Sequence, residues 1–366
     1  MTIRDITLFP VRIALVEPFV ISLGPLTHAE NLFVRVRCDD GREGWGEASP
    51  FPTIHGETLA GATAIGQFLA PLLLGTSPVE MAAATATMNR AIHGNYAIKS
   101  AFDIALHDLA AQQAGLPLYR FLGGTTNRPL QTDYTVSLGP VEQMAAAARR
   151  IVDRGFPVVK IKLGAGAQED IARVAAISAA VGSDIPLRLD ANQGWSFEEA
   201  TIALRGLAAF NVQHCEEPIN RYDWALLPAL RRQSPLPLMA DESCWNDQDA
   251  RRLTEIDAVD RINIKLSKSG GLHTAGRIVA ATTLPLQVGG FLESRLGFSA
   301  AAHFALTDER ICYYDFDTPL MFSEDPVEGG IEYGPGGSIR VPDTPGLGAH
   351  LRPEYQLPSS PQITIP

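Results

Sequence analysis

Six stretches decide the fold: 158-VVKIKLG-164, 187-LRLDANQGW-195, 214-HCEEP-218, 239-MADES-243, 263-NIKLSKSGG-271 and 313-YYDFDTP-319. Each closes an apolar run with charged residues and precedes a helix-like stretch. From Lys162 to Lys265 the charges recur roughly every 25 residues, the length of a strand, a helix and two loops. That unit repeats around a (β/α)8 barrel, where functional side chains sit at the C-terminal ends of the strands. Alternate strand positions share a face, so Lys160 points with Lys162, Arg188 with Asp190 and Asn192, Asn263 with Lys265, and Asp315 with Asp317. The opposite positions, such as Val159/Ile161, Leu187/Leu189 and Ile262/Ile264, are apolar and suit an outer face covered by helices. A solvated sheet edge also carries lysines, but one edge does not explain six strands.

The pattern extends in both directions. TDYTVSL, from residue 132, supplies a first barrel strand, while LPLQVGG and CYYDFD supply the last two, so eight strands close the barrel. Residues 1–125 read as a separate α+β domain. TLFPVRIAL and NLFVRVRCDDGREGWGEA are antiparallel strands with DDG as a hairpin turn. EPFVISLGPLTHAE and SPFPTIHGET are read as loops, followed by three helical patterns. The expected division is a capping domain over 1–125 with part of the 321–366 tail, and a barrel over 126–320.

Composition narrows the function classes. Net charge is −11, which disfavours nucleic acid and anionic membranes as partners. The N-terminus has no secretory pattern and the greasiest run, IGQFLAPLLLG, is shorter than a membrane span. The four cysteines are scattered without a CxxC pair, as expected of reduced thiols in a cytoplasmic protein.

Asp190, Glu216 and Asp241 come from barrel strands three, four and five. Neighbouring strands lie roughly 5 Å apart, so the three carboxylates converge on one hard cation, which removes their mutual repulsion. An oxygen-only donor set favours Mg²⁺, with Mn²⁺ an admissible substitute. The rival reading is three separate salt bridges. Lys162 on strand two and Lys265 on strand six flank the acids, and Lys160 is expected to lower the basicity of Lys162. One base on either side of a bound carbon suits removal of a proton from one face and its return to the other. A cation beside a carboxylate stabilises the enolate formed between those steps. The residues therefore suggest a 1,1-proton transfer at a carbon next to a carboxylate.

KIK, DAN, CEEP, ADES and IKLSKSGG, in this order and spacing, resemble the muconate lactonizing subgroup of the enolase superfamily, over nearly the whole chain. The resemblance implies a modified (β/α)7β TIM barrel whose final helix is replaced, under an α+β capping domain. It implies Mg²⁺ on Asp190, Glu216 and Asp241, with Lys162 and Lys265 as acid/base catalysts. Lys160 assists Lys162 and contacts the substrate carboxylate. Glu217 and Asn192 support the ligands from behind. Asp315 and Asp317 form an anionic clamp suited to an ammonium, and this DxD is similar to the signature of dipeptide epimerases. Thr135 is expected to bond the substrate backbone.

The expected activity is thus Mg²⁺-dependent epimerisation of the C-terminal residue of a small-molecule dipeptide. No Arg or Lys lies between Val20 and Glu30, which favours small or hydrophobic dipeptides such as Ala-Ala. His28 and His55 sit in capping loops, and Phe291 and Leu292 are expected to shape a side-chain pocket. The alternatives are an Ala-Glu epimerase, an N-acylamino acid racemase or o-succinylbenzoate synthase on the same scaffold, and a non-catalytic metabolite-binding barrel. The sequence leaves homo-oligomer formation open.

Overall fold

The computed structural model describes residues 1–357 and 362–366. The N-terminal part is an antiparallel sheet in which Ile3–Ile21 pairs with Gly24–Cys38, and that strand pairs with Glu43–Ala48. EPFVISLGPLTHAE, expected as a loop, is instead the far half of this long hairpin, turning at Ser22 and Leu23. Strict alternation fails there because the register shifts between Ala14 and Phe19, where Pro18 and exposed neighbours interrupt the pattern. SPFPTIHGET contains a short helix, Pro52–His55. Helices Leu59–Leu73, Met81–Ala91 and Tyr96–Ala114 cover one sheet face, burying Ile6, Leu8, Val34 and Val36 against Leu69, Ile98 and Phe102. Gly44 and Gly46 permit this packing, because a Cβ at either would run into the Ala105 or Ala101 carbonyl of the long helix. The last strand, Ile363–Ile365, adds to the free edge of Ile3–Ile21.

Eight parallel strands follow: Tyr134–Val136, Val159–Lys162, Leu187–Asp190, Val212–Glu216, Leu238–Ala240, Arg261–Lys265, Leu286–Gly289 and Ile311–Tyr314. They are barrel strands one to eight below. The sheet curls until its edges meet through side chains. Phe316 N donates to Thr132 Oγ1 at 2.8 Å, and Thr135 N donates to Asp317 Oδ2 at 2.6 Å. Across the interior, Arg188 donates to Asp133 and to the Tyr314 carbonyl. A helix follows each of strands one to seven, whereas strand eight runs into the 3₁₀ turn Thr318–Met321, a (β/α)7β arrangement. Val159, Ile161, Leu187, Leu189, Ile262 and Ile264 are buried in the helix-covered core, as their parity requires. Among the described residues no helix is long and apolar enough to cross a membrane.

Candidate active site

Register brings the charges together. Lys162 is paired with Asp190, and Asp190 with Glu216, on neighbouring strands. Glu216 is level with Met239, so Asp241 emerges just past the end of strand five. Lys265 ends strand six level with Gly289. Asp315 and Asp317 lie in the segment immediately after strand eight, not within it.

Lysines stand between the acids. Lys162 Nζ is 2.6 Å from Asp190 Oδ2, and Lys265 Nζ is 2.6 Å from Asp241 Oδ2. Lys160 Nζ contacts Asp315 at 2.6 Å, Glu216 at 3.0 Å and Asp190 at 3.4 Å. Burial disfavours the Lys160 charge, but the carboxylates of Asp315, Glu216 and Asp190 outweigh it and raise its pKa well above the usual lysine value. Lys160 is therefore a bridge between the acids of strands three and four and the DxD pair, rather than only a neighbour of Lys162. Asp190 and Asp241 are held below the usual carboxylate range; burial opposes this, and the adjacent lysines prevail.

The supporting groups fix the acids. Asn192 N donates to Asp190 Oδ1, and Asn263 Nδ2 donates to Glu216 Oε1 at 2.6 Å. Glu217 accepts from Asp241 N at 2.7 Å and from Ser243 N at 3.2 Å, which anchors the end of strand five.

Sequence reasoning missed several participants. Lys268, fully buried, donates to Asp241 Oδ1 at 2.6 Å. Glu242 lines the pocket, and Asp133 lies beneath the DxD pair. Lys268 stands in the quoted IKLSKSGG, but it lies on the helical turn Leu266–Ser269, where strand parity makes no prediction. Ligand atoms of Asp133, Asp315 and Asp317 all lie within 4.8 Å of one another, a grouping able to hold a cation. Asp133 Oδ1 and Asp317 Oδ1 are buried and have no hydrogen-bond partner among the described residues.

Do the residues suit a metal ion? Eight buried acids, Asp133, Asp190, Glu216, Glu217, Asp241, Glu242, Asp315 and Asp317, face five buried cations, Lys160, Lys162, Arg188, Lys265 and Lys268. The deficit shows in the acids that burial pushes upward: Glu217 and Asp317 to about 7, Asp133 and Glu242 well above the carboxylate range. An all-oxygen site with surplus negative charge fits a hard divalent cation.

The pocket above these charges has an apolar wall of Phe19, Ile21, Phe51, Ile54 and Phe291, and its floor includes Lys162, Lys265, Thr135, Asn192, Asp315 and Asp317. The Lys162 ammonium lies 5.7 Å from the Phe19 ring centre and the Lys265 ammonium 4.8 Å from that of Phe291. His55 packs edge-on against Phe291 behind this wall, Leu292 is buried, and His28 interacts with Thr27 and Arg12. None of these three lines the pocket.

Residues 3–123 match the N-terminal domain of the mandelate racemase / muconate lactonizing enzyme family, and residues 143–355 match the enolase C-terminal domain-like family. The D-Ala-D/L-Ala epimerase of Cytophaga hutchinsonii is 52% identical over 97% of either chain. A crystal structure of the dipeptide epimerase from that organism, complexed with Mg and D-Ala-L-Val, superposes with a TM-score of 0.98 at 51% identity, covering 100% of both chains. The L-Ala-D/L-Glu epimerase of Bacillus subtilis is 40% identical over 92% of this chain and 94% of its own.

Proposed function

Because the chain belongs to the mandelate racemase / muconate lactonizing enzyme family, with its enolase-like C-terminal domain, we propose the following reading. It is a dipeptide epimerase that inverts the α-carbon of the C-terminal residue, acting on small or hydrophobic dipeptides of the Ala-Ala kind. The observation that carries the mechanism is the opposed pair of lysines, Lys162 and Lys265, on either side of one acid-floored pocket.

Asp190, Glu216 and Asp241 would hold the metal ion, Mg²⁺ by analogy with the Cytophaga complex. When bound, it supplies positive charge that stabilises the anion formed as the α-proton leaves. The chain's own residues do the rest. Lys162 or Lys265 accepts the α-proton on its Nζ, and the other lysine donates a proton to the opposite face. Lys160 adds fixed positive charge beside the substrate carboxylate. Asp315 and Asp317 receive the terminal ammonium, with Asp317 held in place by the Thr135 N–H. Phe19, Phe51, Ile54 and Phe291 exclude water and accommodate an apolar side chain. Among the described residues, the wall of Phe19, Ile21, Phe51, Ile54 and Phe291 offers no cation for a γ-carboxylate, which favours Ala-Ala-type substrates over Ala-Glu.

Proton NMR in D₂O with Mg²⁺ tests this, using D-Ala-L-Ala, L-Ala-L-Ala and L-Ala-L-Glu. The C-terminal α-proton signal should disappear from the Ala-Ala dipeptides while the epimer accumulates. Folded, metal-loaded protein that exchanges no α-proton in any of them would refute the reading.

A further inference from the structure

Strand six and the turn after it deliver two lysines to one carboxylate, and the two are held differently. Lys268 Nζ donates to Asp241 Oδ1, to the Asp241 carbonyl, and to Asn263 O at 3.0 Å. An ammonium has three N–H donors, so Lys268 is saturated. Lys265 Nζ, by contrast, has Asp241 Oδ2 at 2.6 Å as its one carboxylate contact among the described residues.

Strand two shows the same division. Lys160 is committed to three carboxylates, whereas Lys162 has Asp190 as its one carboxylate partner among the described residues. Each of the less committed lysines lies near an aromatic ring in the pocket wall. Each side of the site thus carries one locked ammonium and one with a single carboxylate neighbour.

We propose that Lys268 is a positioning residue, the counterpart of Lys160 on the opposite side. It orients and neutralises Asp241 so that Lys265 is spared for proton transfer. This rests on the two-lysine reading above. A buried carboxylate stripped of its counter-ion is strongly destabilising. Without Lys268, Asp241 would keep Lys265 as its one ammonium partner, and Lys265 would be tied to that carboxylate rather than left to exchange protons with substrate. Lys162 keeps its own partner, so the damage falls on one face only.

The test uses Lys268→Met in the full chain with Mg²⁺. Solvent deuterium uptake at the C-terminal α-carbon is followed separately for the two epimers of one dipeptide, and Mg²⁺ affinity is measured by calorimetry. Wild-type protein should exchange both epimers. In Lys268→Met, the epimer whose proton faces Lys265 should slow by about tenfold or more, while the other stays within about threefold of wild type. The slowed epimer should be the one that Lys265→Ala cannot exchange. Retained exchange on the Lys162 face also reports a folded site. Should the methionine variant not fold, Lys268→Arg is expected to show the same asymmetry in milder form. Equal slowing of both epimers, or no slowing of either, overturns the proposal. If the wild-type protein exchanges neither epimer, the two-lysine reading fails instead.

Discussion

Asp317→Asn separates amine recognition from chemistry. One oxygen of Asp317 accepts the Thr135 N–H at 2.6 Å, and the other is buried without a partner in a residue that lines the pocket. Asparagine can keep the first contact through its carbonyl oxygen. It then presents an NH₂ where the free oxygen was, so that a donor meets the substrate's ammonium. Losing a hydrogen bond between charged partners costs about 1.5–3 kcal/mol, and each ~1.4 kcal/mol is tenfold. KM for a free dipeptide should therefore rise roughly 10- to 150-fold. The ammonium contact is the same before and during proton transfer, so kcat should hold. Asp315→Asn is less clean, because Asp315 also holds Lys160 at 2.6 Å. Initial rates on a dipeptide and its N-acetyl derivative provide the assay. Wild-type protein should favour the free amine, and the variant should lose that preference. An unchanged KM with a reduced kcat would refute the clamp and make Asp317 a purely structural anchor.

Burial and the neighbouring Asp315 push Asp317 up to about 7. Its ionised form receives the amine, so KM should fall as pH rises through about 7, and this dependence should vanish in Asp317→Asn. The trend should reverse above about 8, where the substrate amine loses its proton. Chelation should abolish turnover and lower Tm, with Mg²⁺ restoring both; a Tm indifferent to Mg²⁺ would show that the buried acids do not hold the ion. Glu57 accepts the Tyr96 and Ala97 N–H groups at the start of the long capping helix. Glu57→Ala should lower stability by about 1–2 kcal/mol in urea unfolding, and an unchanged midpoint would remove the capping role.

The barrel was legible because its strands are short and buried on both faces. Parity alone then separates Lys160 and Lys162 from Val159 and Ile161, and the recurrence of acids fixes the strand ends. The capping hairpin was less legible, since its tip is half solvated and its register shifts beside Pro18. Two site residues that escaped lie outside the strands and outside their parity. Lys268 returns to Asp241 from a helical turn, and Asp133 reaches the DxD pair from just before strand one. Glu47 escaped for another reason, since its role needs the two parts of the chain docked. From a capping strand it accepts the backbone N–H groups of Ser294 and Gly297, both at 2.8 Å, at the start of the helix after barrel strand seven. No linear pattern announces a cap separated by 247 residues.

The expectation most altered by the structure concerns salt bridges, first set against metal binding as a rival. Both readings describe the same residues. Buried carboxylates need positive charge nearby, and Asp190 and Asp241 have Lys162 and Lys265 beside them at 2.6 Å. Those are the two lysines with the fewest other commitments. Asp315 and the carbonyls of Asp241 and Asn263 hold Lys160 and Lys268 independently. Lys162 and Lys265 are also the two that line the pocket, while Lys160 and Lys268 stand behind it as fixed charge. Lysines at a buried acid site are therefore better classified by how many partners each holds than by whether each is paired.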